Sequence, residues 1–296
     1  MEQHFSAPGR IELGGNHTDH QHGCVLAAAV DLEMTAAVTP NGAGTIRVFS
    51  HGFAPAAVDI GSWDVRPEER HTTAALVRGV AAQFAARGAA LSGVDIRVTS
   101  QVPVGSGLSS SAAFEVLLGR VFSGLFCGGS VPPEDIARMG QAAERDYFGK
   151  PCGLMDQMAA SVGGLVYMDF ADPAHPAVAR IDCDLRRSGY RLCVVDSGAD
   201  HAGLTADYAA IPHELRQVCA VFGAEVLRDV DEGSPVFLTK NGRGKYAIVD
   251  MRDYERTLAA RRLMSELAKG RRSGEEEGWL SVEEVRAHFR AKANEK

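Results

Sequence analysis

Several features that would assign this chain quickly are missing. None of its six cysteines, Cys24, Cys127, Cys152, Cys183, Cys193 and Cys219, belongs to a C-x-x-C pair. Neither a zinc knuckle nor a thioredoxin-type redox pair is therefore expected. The start carries no basic stretch leading into an apolar run, so no secretory signal is expected there. The longest apolar run, Cys24–Val30, is far too short to span a bilayer. These absences point to a cytoplasmic protein with reduced thiols and no membrane partner. No repeat period stands out, which speaks against a solenoid.

What is present is the composition of a globular protein, 45% hydrophobic and 23% charged over 296 residues. That length allows one large domain or two ordinary ones, with a core that needs no disulfide staples. The charge is uneven. Residues 233–296 hold 14 Lys+Arg against 10 Asp+Glu, and residues 1–232 hold 17 against 28. A change of sign between segments suggests different partners for each. The acidic part would repel a polyanion, so a small anionic ligand there needs a dedicated local site.

Periodicity predicts mixed short strands and helices up to about residue 232. Strands are expected at Met34–Pro40, Thr45–Ser50 and Val94–Thr99, with buried strands at Gly164–Phe170 and Tyr190–Asp196. Helices are expected at His71–Arg87, Ser110–Leu125 and Pro133–Phe148. A further helix, Thr205–Phe222, puts Tyr208, Ile211, Leu215, Val218 and Phe222 on one face. Composition shifts near Asp231–Pro235. Beyond it, Val236–Thr239 and Tyr246–Asp250 read as a hairpin around Asn241-Gly242. Then come a charged helix over Arg252–Lys269, an exposed linker over Arg271–Glu277, and a capping box at Ser281–Glu284.

Three segments carry chemistry. Gln101–Glu115, QVPVGSGLSSSAAFE, runs from a strand through glycines and serines into a helix. Glycine lets backbone approach a phosphate, and the free N–H groups of a helix start favour anions. The G-K-[ST] ending of a Walker loop is missing, and Ser110 stands where a dinucleotide fingerprint needs its third glycine. Ala7–Gly23, APGRIELGGNHTDHQHG, gathers Arg10, Glu12, Asn16, His17, Asp19, His20 and His22 among glycines. Such a cluster suits a polyhydroxylated ligand, a metal, or simply a solvated loop. Gly149–Gln157, GKPCGLMDQ, sets Asp156 among apolar neighbours, either as a helix N-terminal partner or as a reactive acid.

Taken together and in order, these strings resemble the galactokinase branch of the GHMP small-molecule kinases. The resemblance rests on SAPGRIELGGNHTDH, PVGSGLSSSAAFEV and GKPCGLMDQMAASVGG, and covers about residues 5–232. It implies an α+β fold, ribosomal protein S5 domain 2-like. The kinase N-terminal domain would occupy 1–200, and 201–232 would begin an incomplete C-terminal domain. It implies ATP and Mg2+ as cofactors and phosphorylation of galactose at the anomeric hydroxyl. Asp156 would be the acid–base group and Arg10 would neutralise phosphoryl charge. Asn16, His17, Asp19, Gly153 and Tyr208 would contact the sugar. Gly105, Ser106, Gly107, Leu108, Ser109, Ser110 and Ser111 would wrap the ATP phosphates, and Ser111 and Glu144 would hold the metal. The family usually has glutamate at Asn16, tyrosine at His20 and asparagine at Glu12, which leaves another hexose or an amino-hexose open. A C-terminal glycine-rich string of the family is absent, so the resemblance implies impaired turnover, and a non-catalytic sugar sensor is a rival reading. Residues 233–296 instead resemble a Phd-type (prevent-host-death) antitoxin. That likeness implies DNA contacts through the basic hairpin and a toxin protein as partner beyond about Arg261.

Overall fold

A computed structural model describes the chain apart from residues 16, 184–186, 188, 190–191, 196–204, 231–235, 241–242, 249–250 and 294–296. It separates into two units, Met1–Val230 and Asp231–Lys296.

In the first unit a single long strand organises the sheet. β2 (Cys24–Pro40) is rich in Val, Ala and Thr, and pairs antiparallel with β1 (Gln3–Gly14), β5 (Val94–Ser100) and β6 (Leu165–Asp169). β3 (Thr45–Ser50), β4 (Ala56–Asp59) and β7 (Ala177–Ile181) complete a seven-stranded sheet of order β4-β3-β5-β2-β6-β7, with β1 joined to β2. Only β3 and β5 run parallel. The β1–β2 ladder slips between Pro8 and Arg10. A slip of this kind re-aims a side chain next to it, and here that side chain is Arg10.

One face of the sheet carries α1 (Thr73–Ala86), α2 (Ser110–Phe126), α3 (Pro133–Ala142) and α4 (Met155–Val162). Thr72 caps α1 by accepting from the Ala75 N–H, the usual task of a threonine at that position. Phe84 and Phe122 meet edge to face at 5.8 Å in the centre of the core, both fully buried. Arg78 is also fully buried; its Nε and Nη2 each donate to Glu69 at 2.7 Å and its Nη1 donates to the Ser62 carbonyl at 2.8 Å. That satisfies a charge which would otherwise be prohibitive inside.

The expected helix over Pro133–Phe148 ends its α-helical part at Ala142 and continues as a π-helical stretch, Ala143–Phe148. Such widening recurs at functional sites, and here it carries Glu144. The expected strand at Tyr190–Asp196 is not formed over its described part. Residues 192–195 have no regular structure, and Leu192, Val194 and Val195 are exposed. β7 holds the edge of β6, and no described strand pairs along the outer edge of β7. α5 (Thr205–Val221) forms as expected, with Ile211, Leu215 and Val218 half-buried and Phe222 exposed just past its end.

The second unit has a hairpin of β8 (Val236–Lys240) and β9 (Arg243–Ile248), then α6 (Met251–Glu277) and α7 (Val282–Ala293). The turn pair Asn241-Gly242 lies outside the described residues. The expected linker at Arg271–Glu277 is instead the last two turns of α6. No proline stops the helix, and Arg271 donates to Glu275 at 2.9 Å across one turn. Ser281 and Glu284 form the capping box reciprocally, Ser281 N–H to Glu284 Oε2 at 2.7 Å and Glu284 N–H to Ser281 Oγ at 3.3 Å. Among the described residues no helix is long and apolar enough to cross a membrane.

Candidate active site

Arg10 on β1 gathers the site. Its backbone N–H donates to the Leu108 carbonyl at 3.1 Å and its Nη1 donates to the Gly107 carbonyl at 2.6 Å. Its Nε and Nη2 reach the same carboxylate oxygen, Asp156 Oδ1, at 2.8 and 2.7 Å. The second oxygen, Oδ2, accepts from Ser109 Oγ at 2.5 Å. One arginine therefore ties the 105–111 loop to the first turn of α4. Its side chain is mostly buried, while Asp156 is about one-third exposed.

The loop is shaped to leave donors open. Gly105 and Gly107 have φ of 75° and 78°, values that favour glycine. Ser106 Oγ donates to the Pro103 carbonyl at 2.8 Å and accepts from Leu108 N–H at 3.4 Å, which pins the turn. α2 starts at Ser110 with no side-chain cap and no acid in its first turn. Its leading N–H groups and dipole thus point out of an uncapped end, an arrangement suited to phosphate.

Behind α4 lies a buried polar network that the sequence did not reveal. Gln157 Nε2 donates to both Glu115 Oε2 and Glu144 Oε2 at 2.9 Å, and Lys150 Nζ pairs with Glu144 Oε1 at 2.9 Å. Glu115 and Gln157 are fully buried, and each keeps an oxygen without a partner. Burial, reinforced by the Glu144 charge, pushes the Glu115 carboxyl well above its ordinary 4.5. Burial opposes the charge on Lys150, but Glu144 outweighs it and raises the ammonium. Burial also pushes the Cys152 thiol up, which makes it a poor nucleophile. The available signal was Glu115 itself, an acid in the middle of the apolar run Ala112–Leu118.

The loop after β1 closes on Thr18, whose Oγ1 lies 2.7 Å from both the Gly15 and Cys24 carbonyls and can donate its one proton to either. Asp19 Oδ1 accepts from the His20 N–H at 2.9 Å. Its Oδ2 rests on Gly153: a Cβ on that glycine would lie 1.8 Å from it. The His17 and His20 rings stack at 6.2 Å, and burial followed by His20 lowers the His17 pKa. A cleft of about 190 Å³ opens here between Asp19, His20, His22, Gln141, Cys152 and Gly153. Burial raises the Glu12 carboxyl, Arg10 opposes this, and Asp156 and Asp19 reinforce it, so the four charges share one neighbourhood. Gln21, also unanticipated, is buried and accepts from the Leu227 N–H at 3.0 Å. Arg228 beside it donates to the His22 carbonyl at 2.6 Å and to Asp169 Oδ1 at 2.5 Å. The segment after α5 thereby braces the loop.

The structure thus brings Arg10, Gly107, Leu108, Ser109 and Asp156 into direct contact, and separately Asp19, His20 and Gly153, with His17 stacked on the His20 ring. Ser111 is half-buried in the first turn of α2 and Glu144 sits in the buried network. Asn16 lies outside the described residues, as does the side chain of Tyr208 in α5. Among the described residues no group of three or more His, Cys, Asp or Glu could hold a metal, so the metal alternative for the histidine-rich loop has no such cluster behind it.

Comparison with known proteins bears on the same segments. Residues 2–40 match the family model "Galactokinase galactose-binding signature", and residues 75–164 match "GHMP kinases N terminal domain". A galactokinase of Streptomyces coelicolor is 34% identical over 226 residues, covering 76% of this chain and 58% of that protein. A galactokinase of Chloroflexus aggregans is 37% identical, covering 76% and 57%. The chain spans about three fifths of the length of such relatives. A structure of Lactococcus lactis galactokinase complexed with galactose superposes with a TM-score of 0.61 at 22% identity, covering 78% of this chain and 60% of that one. A mevalonate kinase of Methanococcus jannaschii does so at 0.56 and 16%, covering 75% and 72%. The first unit therefore has the fold of the GHMP-kinase N-terminal domain, opened by a segment that matches the galactose-binding signature of galactokinases.

Proposed function

We propose that the first unit performs ATP-dependent phosphorylation of galactose at its anomeric hydroxyl, giving galactose 1-phosphate and ADP. The observation that carries this reading is the junction in which Arg10 joins the 105–111 loop to Asp156. In that arrangement Asp156 accepts the proton of the anomeric hydroxyl as its oxygen attacks the γ-phosphorus and the bond to the ADP oxygen breaks. Arg10 neutralises charge on the transferring group, and Gly105–Ser111 receives the phosphates. His17, Asp19 and Gly153, with Asn16 and Tyr208, contact the sugar. Relatives named galactokinase and a neighbour crystallised with galactose support the choice of sugar.

Magnesium is the metal this reaction class uses, and the residues fit it on one condition. Glu144 Oε1 already takes a cationic group, the Lys150 ammonium, so it can serve a cation once Lys150 swings aside. Lys150 is about half exposed and free to do so. Ser111 would supply the hydroxyl oxygen, and the metal when bound would screen phosphate charge.

The test is galactose-dependent ADP release with magnesium and ATP, run on the full chain beside Asp156→Asn. Turnover abolished by the substitution supports the reading. Galactose binding without turnover marks a sugar sensor instead, and absence of both removes the reading. For residues 233–296, the folded basic hairpin followed by the exposed α6 supports a reading as a Phd-type antitoxin-like segment contacting DNA or a toxin protein. A salt-sensitive gel shift, or co-purification of a small toxin, tests it.

A further inference from the structure

Ser109 occupies the N-cap position of α2 but does not act as a cap. A serine there ordinarily accepts a hydrogen bond from an N–H of the first turn. Its hydroxyl instead donates to Asp156 Oδ2 at 2.5 Å, and its backbone adopts φ 55° and ψ 59°, a left-handed conformation rare outside glycine. Asp156 Oδ1 is meanwhile held twice by Arg10. Oδ1 thus has both lone pairs taken by Arg10, so the remaining acceptor capacity of Asp156 lies on Oδ2, where Ser109 holds one of the two lone pairs. Arg10 is anchored by three further contacts to the loop and β2, through its side chain and backbone, whereas Ser109 is anchored to Asp156 by one bond.

A hydroxyl has one proton to donate. Ser109 stands at the rim of the uncapped end of α2, so a phosphate bound there offers its O–H a second anionic acceptor. It cannot serve the phosphate and Asp156 together. We infer that Ser109 is an interlock: it competes with the sugar hydroxyl for the lone pair of Asp156 Oδ2 that it holds, until nucleotide phosphate draws its own hydroxyl away and frees that lone pair for the sugar. Ser109 is then a positioning residue that couples the two binding events, an effect beyond contributing to the phosphate loop. This rests on the proposed function of the same site.

The test is calorimetric titration of galactose into the full chain, with and without a saturating non-hydrolysable ATP analogue and magnesium. In the unsubstituted protein the analogue should tighten galactose binding about tenfold, within the usual range of coupling between sites. Ser109→Gly removes the hydroxyl and suits the left-handed backbone. It should bind galactose more tightly without nucleotide and reduce the coupling to under about twofold. Ser109→Ala, which removes the hydroxyl but keeps the backbone strain, should lose the coupling in the same way, and a cooperative thermal transition in each variant secures the comparison. Unsubstituted protein that binds both ligands without coupling overturns the interlock, as does full coupling in either variant. Folded protein that binds neither ligand overturns the functional reading, and the interlock with it.

Discussion

Replacing Gly153 with alanine tests the proposed sugar site at its tightest contact. The added Cβ would lie 1.8 Å from Asp19 Oδ2 and 2.8 Å from its Cγ. An ordinary carbon–oxygen contact is about 3.3 Å, so the carboxylate must retreat by about 1.5 Å. Asp19 is short and its side chain only 8% exposed, so it has little room to do so. The movement breaks the bond from the His20 N–H, now 2.9 Å, and displaces the oxygens a sugar would meet. Losing one or two hydrogen bonds to a charged acceptor costs about 2–3 kcal/mol, roughly a 30- to 150-fold loss of galactose affinity. Titration calorimetry of Gly153→Ala against the unsubstituted chain reads this directly. A double-mutant cycle sharpens it. In an Asp19→Ala background the same Cβ meets no carboxylate, so the Gly153→Ala penalty on stability should largely vanish, a coupling of about 1–3 kcal/mol. Unchanged galactose affinity in Gly153→Ala, or strictly additive stabilities, would refute the geometry of this seat.

Other expectations follow from the same structure. Arg10→Lys keeps the charge but loses the fork that grips Asp156 Oδ1 and the bond to Gly107, so kcat should fall about 100-fold or more; steady-state kinetics measure it. Glu115→Gln replaces the buried carboxyl by an amide that does not titrate. Its folded carboxyl is raised above the unfolded value of 4.5, so wild-type folding binds a proton above that pH and stability falls as pH rises from there. The substitution removes this slope, and urea unfolding between pH 5 and 8 should show the variant gaining on the unsubstituted chain as pH rises. Glu69→Gln weakens the partner of fully buried Arg78. Loss of a buried ionic partner costs about 3–5 kcal/mol, read as a lower urea midpoint. Because Glu69 is lowered from 4.5 by its bond to Arg78, its contribution is present above that pH and is lost on acidification below it. Arg228→Ala removes the brace on the His22 carbonyl and Asp169, and amide exchange over residues 15–23 should quicken with little change elsewhere.

Much of this architecture was legible because local rules carry it. The helical spacing of His71–Arg87 marks α1, and the Ser281–Glu284 box opens α7. The glycines at 105 and 107, set between a strand and a helix, do adopt the left-handed backbone that such a turn needs. What stayed hidden depends on partners distant in sequence. Arg10 was expected to neutralise phosphoryl charge, but its double grip on Asp156, 146 residues away, was not legible. Ser109 looked like an ordinary cap, and only the approach of α4 diverts its hydroxyl. The apolar run at 190–196 predicted a buried strand, but its described part, residues 192–195, stays irregular and exposed. The acidic-basic run at 271–277 suggested a linker, where i,i+4 pairing sustained a helix instead.

The charges near the site make the two ligands differ in their dependence on magnesium. Glu12, Asp19 and Asp156 sit together with Arg10 as their common cation, and Arg10 is already engaged with Asp156. A neutral sugar adds no charge to this group, so it can enter without electrostatic penalty. The polyphosphate of a nucleotide is different. It approaches a region whose carboxylates outnumber its cations, and the uncapped end of α2 contributes only a partial positive charge. Its binding should therefore depend strongly on magnesium, and sugar binding should not. Titrating galactose and the ATP analogue separately, each with and without magnesium, checks this. The expected result is a magnesium effect on the nucleotide of tenfold or more and none on galactose in the absence of nucleotide. Equal nucleotide affinity in chelator would mean that Arg10, Lys150 and the loop N–H groups suffice alone, and the reading of Glu144 as a cation ligand would fall.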